Sequence, residues 1–105
     1  MKGDNKEYIL CSAIHFDDDQ WYQHQPLNIA SGFVVCGMRH NNCYTTASIF
    51  DSSRYYKKLP NVKGFLTNSN RFLDREQAMV LALANGQVEV GKTQNEKKLY
   101  SEDLY

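Results

Sequence analysis

The sequence predicts a single α+β domain in which a small antiparallel sheet carries two main helices. Three observations predict it. Apolar, β-branched segments come first and helical periodicities follow. The connections between strand-like segments are short, which suits hairpins better than the long crossovers a parallel sheet needs. The chain has 105 residues, 42% of them hydrophobic and 23% charged, an ordinary mix for one globular domain spanning 1–105. A multidomain enzyme and wholesale disorder are both excluded.

The first strand is expected over 8–16, where Tyr8, Ile9, Ile14 and Phe16 sit in a stretch free of Pro and Gly that stops at the turn signal Asp17-Asp18-Asp19. Residues 21–25 are read as a returning hairpin partner, ended by Pro26, which removes a backbone donor. Phe33-Val34-Val35-Cys36, between Gly32 and Gly37, reads as a short buried strand. From 39 to about 52 the period changes: Cys43, Ala47 and Phe50 recur at helical spacing, and Asn41 and Asn42 stand where they can cap exposed amides. A polar loop to Pro60, a strand over 62–67, a turn at 68–70 and a short extended piece at 71–73 follow. Asp74 with Gln77 three residues later is a capping box, and Gly86 supplies a left-handed stop, so 74–85 is the second helix. The tail ends in Leu99-Tyr100 and Leu104-Tyr105, apolar enough to dock on the body or on a neighbouring subunit.

Twelve basic side chains balance twelve acidic ones, but not evenly along the chain. Residues 1–53 are acidic by three charges and residues 54–105 basic by three. The excess concentrates between Arg54 and Arg75, where Lys57, Lys58, Lys63 and Arg71 are opposed by Asp74 alone. That favours a small anionic ligand over duplex nucleic acid, which usually selects strong net positive charge and a continuous basic face. The apolar runs are far shorter than the ~20 residues of a membrane helix, and the polar first residues lack the apolar core of a secretory signal. Membrane insertion is not expected, and a cytoplasmic location is. The three cysteines, an odd number, are expected as reduced thiols.

Four constellations carry chemistry. Cys36, His40 and Cys43 fall in eight residues, with Cys11 or His15 as a conceivable fourth zinc ligand, yet the spacing matches no paired Cys-x2-Cys signature and two small core residues flanking a polar turn explain it equally well. His40 and Cys43 are also three apart on one helix, as a thiol nucleophile and its base would be, though a chain this short leaves little room for the rest of such a site. No glycine-rich phosphate loop is present, so no cofactor of that kind is expected, and the Cys36, His40 and Cys43 spacing leaves no metal expected. What remains is Arg71-Phe72-Leu73-Asp74-Arg75, with Asn70 before it: guanidinium forks near a helix start suit phosphate oxygens, while the plainer reading leaves Arg75 solvated and Arg71 over an aromatic ring. Tyr44, Tyr55, Tyr56, Phe65 and Phe72 flank the basic stretch and offer flat faces for a base, or simply core packing.

Several blocks then combine: Gly37-Met38-Arg39-His40, Gly64-Phe65-Leu66-Thr67, Asn70 through Ala78 with its Arg-Phe-x-Asp-Arg-x-x-Ala pattern, Ala84-Asn85-Gly86-Gln87, and Leu99-Tyr100-Ser101-Glu102-Asp103-Leu104-Tyr105. From Tyr8 onward the chain resembles small phage proteins of the first Thoeris anti-defence family; residues 17–31 depart from that pattern, where a shorter hairpin is expected. The resemblance implies a sponge and not an enzyme, one that binds glycocyclic ADP-ribose, the signal made by bacterial TIR-domain proteins, and holds it uncleaved in the host cytoplasm. Some members of the family assemble as hexamers and also bind cyclic trinucleotides, so a homo-oligomer, dimer or hexamer, is expected. Arg71 and Arg75 match the family's paired ligand-contacting arginines, with Asn70 and Phe72 in the same block, and Tyr44 lies where a stacking partner belongs. Arg39 and His40 come second as anion contacts. The rival reading is a phage accessory protein acting by protein contact or holding a structural zinc, and a third is a cyclic-nucleotide hydrolase.

Overall fold

The computed structural model describes residues 6–51 and 55–104. Strand β1 (Ile9–Phe16) runs through the middle of a four-stranded sheet and pairs on one side with β2 (Phe33–Gly37) and on the other with β3 (Asn61–Thr67). The short β4 (Phe72–Asp74) closes the order β2-β1-β3-β4, and every pairing is antiparallel. The α+β class with an antiparallel sheet and two helices is therefore what forms.

Strand alternation decides which side is core. The register aligns Ser12, Ile14 and Phe16 with Gly37, Val35 and Phe33 across β2, and aligns Ser12 and Ile14 with Phe65 and Lys63 across β3. This face carries both helices. Helix α1 (His40–Phe50) places Cys43 and Ala47 against Ile14 and Phe16, joined by Tyr56 and Leu59. Helix α2 (Arg75–Ala84) places Ala78, Met79 and Ala82 against Phe65, Leu73 and Ile9, and Val88 and Leu99 complete that cluster. At about 25 cal/mol per Å² of apolar surface removed from water, such clusters are the main source of stability in a domain of this size.

Helix α2 starts where its capping box says it should. Asp74 accepts from the Gln77 amide at 2.8 Å, and the Gln77 side chain accepts from the Asp74 amide at 3.0 Å. Gly86 adopts φ 83°, the left-handed conformation that ends such a helix without a Cβ penalty. Asp74→Ala should destabilise the protein by about 1 kcal/mol, and thermal unfolding should show a drop of roughly 4–8 °C. Helix α1 begins with a different cap: the Asn42 side chain accepts from the Arg39 amide at 3.0 Å. It ends at Phe50; the expected final residue, Ser52, lies outside the described residues, as do Arg54 and Tyr105.

Two local expectations are corrected. Residues 21–25 form no strand; the segment that returns from β1 as its hairpin partner is Phe33–Gly37. Asp17 and Asp18 accept from the amides of Asp19 and Gln20, both at 3.0 Å, and Asp19 and His24 take positive φ, so the chain turns where a strand would need extension. The segment instead reaches the β4 edge, where Asn28 donates to the Phe72 carbonyl at 2.6 Å and accepts from its amide at 2.8 Å. The polar stretch before Pro60 is not all loop either, since Tyr55–Lys58 makes a short 3-10 turn whose Tyr56 is buried. The tail docks on the body: Leu99 is fully buried, its amide donates to the Arg75 carbonyl at 2.9 Å, and a 3-10 turn (Ser101–Asp103) follows.

Candidate functional site

Gly64 sits where the two helix starts converge. On one side it pairs with Asp74, the residue that caps α2, and on the other its carbonyl lies 2.8 Å from His40 Nε2 at the start of α1. A carbonyl only accepts, so Nε2 carries the ring proton and Nδ1 is left as an acceptor. The imidazole also meets the Phe65 ring edge-on, with centroids 5.4 Å apart. Burial is the main cause that lowers its pKa from the ordinary histidine value, and the nearby Arg75 and Lys63 push the same way.

Next to this histidine opens a cleft of about 420 Å³ lined by Arg39, His40 and Asn41 from α1 and its cap, Lys63 from β3, Arg75 from the first position of α2, and Tyr100, Ser101 and Glu102 from the tail. Three cations face one carboxylate among these lining residues. Arg39 reaches Glu102 at 3.2 Å. The Arg75 guanidinium donates to the Leu99 carbonyl at 3.0 Å and lies over the Tyr100 ring at 4.3 Å, so cation and aromatic are held as a unit. The first turn of α1 contains no acidic residue, which leaves the positive end of its dipole unopposed by its own side chains.

The sequence-predicted residues separate into groups. Arg39, His40 and Arg75 come together in the cleft. Tyr44 stands one contact away: its ring packs edge-on against Phe16, and Lys63 Nζ lies 5.6 Å from its centroid. Arg71 does not join Arg75. Its guanidinium makes a two-pronged pair with Glu7, at 2.8 and 2.6 Å, and holds that carboxylate below its ordinary range. Phe72 is buried on the other face of the sheet against His15, with centroids 5.6 Å apart. Asn70 turns the chain at φ 59° and lines a separate cleft of about 370 Å³ with Trp21, Tyr22 and Pro26. At the start of α2 the Gln77 amide is also taken, since it donates to the Asp74 carboxylate.

Lys63, Tyr100 and Glu102 escape sequence reasoning as site residues because each is brought in from a distant segment. Cys36, His40 and Cys43 part company: Cys36 is exposed, His40 turns to Gly64, and Cys43 is buried with its sulfur 3.7 Å from the Ser12 carbonyl. Burial pushes the Cys43 thiol up to about 11, far from a thiolate at neutral pH. Among the described residues no group of three or more His, Cys, Asp or Glu side chains is placed to hold a metal ion.

These groups give a pH dependence with a definite sign. A histidine whose folded pKa lies below its unfolded value contributes stability in full above the unfolded value, about 6.5. That contribution falls as pH drops from there through the lowered folded value. Glu7 acts further down, its contribution complete above the ordinary glutamate range and lost as pH falls through its depressed value. Thermal unfolding followed from pH 7.5 to 5 should show falling stability, and His40→Gln should flatten that part of the curve.

The fold and cleft define a small α+β domain with a cationic, aromatic-edged pocket between two helix starts. The chain belongs to the phage T4 y16D protein family, whose model matches residues 8–105. It is a phage protein. No curated protein and no solved structure matches it. Among the described residues no helix is long and apolar enough to cross a membrane.

Proposed function

We propose that this phage protein binds an anionic cyclic nucleotide in the cleft between the two helix starts and sequesters it uncleaved, as an anti-defence sponge of the Thoeris type does with glycocyclic ADP-ribose. The observation that carries this reading is the cleft's composition: Arg39, Lys63 and Arg75 beside the start of α1, with the Tyr100 ring at its edge. Guanidinium forks and an ammonium supply charge-assisted hydrogen bonds to phosphate oxygens. A ring already carrying a cation on one face offers the flat surface a base or ribose needs. Four of the blocks behind the family resemblance, those around Arg39, Gly64, Arg75 and Tyr100, meet at this place, which also supports the reading.

Glu102 is the built-in test. A phosphate entering the cleft meets its carboxylate, 3.2 Å from Arg39, so Glu102→Gln should tighten binding of glycocyclic ADP-ribose several-fold in calorimetric titration. No binding by either form, or weaker binding by the variant, would contradict the reading.

The same proposal includes self-association. Ile49, Phe50 and Tyr55 are 72%, 85% and 58% exposed. Phe50 and Tyr55 line an apolar groove with Phe33 and Val35 beside the open edge of the sheet. An edge strand next to exposed large apolar residues is suited to meet another copy. Light scattering at micromolar concentration should report at least a dimer, and a monomer would refute this part. The same surface keeps a purely protein-contacting role as the alternative, distinguished by the absence of nucleotide binding.

A further inference from the structure

The face of the sheet away from the helices holds a feature the cleft does not use. Cys36 pairs across the β1–β2 ladder with Ala13, and Cys11, two residues before Ala13, shares its face by strand alternation. The two residues are therefore diagonal neighbours on adjacent strands. Cys36 is exposed and Cys11 half-buried, whereas Cys43 is buried among the helix-side core. Cys36 and the Gly37 backbone both lower the Cys11 thiol from its ordinary value. The β1–β2 ladder ends at the Ser12–Gly37 pair, so Cys11 has no partner on β2, while on its other side it is held by pairing with Leu66 of β3.

We propose that Cys11 and Cys36 form a reactive dithiol site for small disulfides of the glutathione class, Cys11 attacking first and Cys36 resolving. In the first step the Cys11 thiolate bonds to one sulfur of glutathione disulfide, and the other leaves as a glutathione thiolate. In the second, Cys36 gives up its proton to that thiolate and its sulfur attacks Cys11, expelling the second glutathione. The protein loses two protons and two electrons in all, and with them one glutathione disulfide becomes two glutathiones.

Three things favour this order. Those two neighbours lower the Cys11 thiol to about 7, close to ambient pH, where an attacking thiol is most effective. Cys36 is raised chiefly by its hydrogen bond to Cys11 and by burial, with the Cys11 charge adding to both, and the contribution from that charge disappears once Cys11 is capped. Closing the bond needs Cα atoms within about 7 Å, and Cys36 lies on β2, the edge strand of the sheet, which has no strand on its outer side to hold it in place.

The test is exposure of the folded, reduced full chain to glutathione disulfide, with intact mass and peptide mapping over time. The first adduct in wild type should map to Cys11 and then disappear as a Cys11–Cys36 disulfide forms. Cys36→Ser should retain the adduct on Cys11. A first adduct on Cys36 or Cys43, an unreactive Cys36→Ser protein, or a wild-type adduct that never closes would overturn the proposal. Mapping the wild type at early times needs no variant, so the answer does not depend on either substitution folding.

Discussion

Replacing Arg39 and Arg75 together by glutamine should weaken binding of glycocyclic ADP-ribose by about two to four decades. Each guanidinium removed takes charge-assisted hydrogen bonds of roughly 1.5–3 kcal/mol, and 1.4 kcal/mol is one decade. Part of the loss at Arg75 is indirect, since its side chain also ties down the Leu99 carbonyl and carries the Tyr100 ring. Arg75→Lys separates the two contributions: it keeps the charge but loses the fork, and it should fall between wild type and glutamine. Arg71→Ala is the control, because that guanidinium is spent on Glu7 away from the cleft. Its affinity should stay within about threefold of wild type, a shift of well under one decade. Calorimetric titration of the four proteins, with circular dichroism to verify folding, reads the whole series.

The second large effect is on stability. A Cβ placed on Gly64 would lie 2.1 Å from the Leu73 carbonyl oxygen and 2.7 Å from the Phe72 ring. The ring could swing aside, but the carbonyl is backbone of the paired strand β4. Strands β3 and β4 would have to separate, with the Asp74 cap of α2 moving too. Gly64→Ala should therefore cost about 3 kcal/mol or more, at the upper end of overpacking effects, and lower the melting temperature by at least about 12 °C. Because the His40 contact is to the Gly64 carbonyl, the variant should also lose nucleotide binding before it unfolds.

Gly64 also shows where sequence reasoning stops. The strand through it, the capping box at Asp74 and the helical spacing of Cys43, Ala47 and Phe50 are local signals, and local chemistry placed all three. Residues 17–32 were not legible, because whether Trp21 to Gln25 pairs as a strand depends on side chains that turn the backbone at Asp17 and Asp18 and on an edge waiting at Phe72. The site was half legible for a similar reason. Arg71 and Arg75 are four apart, the spacing that would align them on one helix, but β4 lies between them and the spacing is not helical. Lys63, Tyr100 and Glu102 reach Arg75 only through the antiparallel fold and the docked tail, and no spacing in the sequence encodes that meeting.

Sequestration is tested most directly by incubating glycocyclic ADP-ribose with an excess of the protein and passing the mixture through a filter that retains protein. The retained fraction is then heated to unfold the chain, and the released small molecule is identified by mass spectrometry. The filtrate should be depleted and the intact nucleotide recovered after heating, with both lost in the Arg39→Gln/Arg75→Gln protein. A filtrate as rich in nucleotide as a protein-free control, or recovery of a cleaved product, would contradict it.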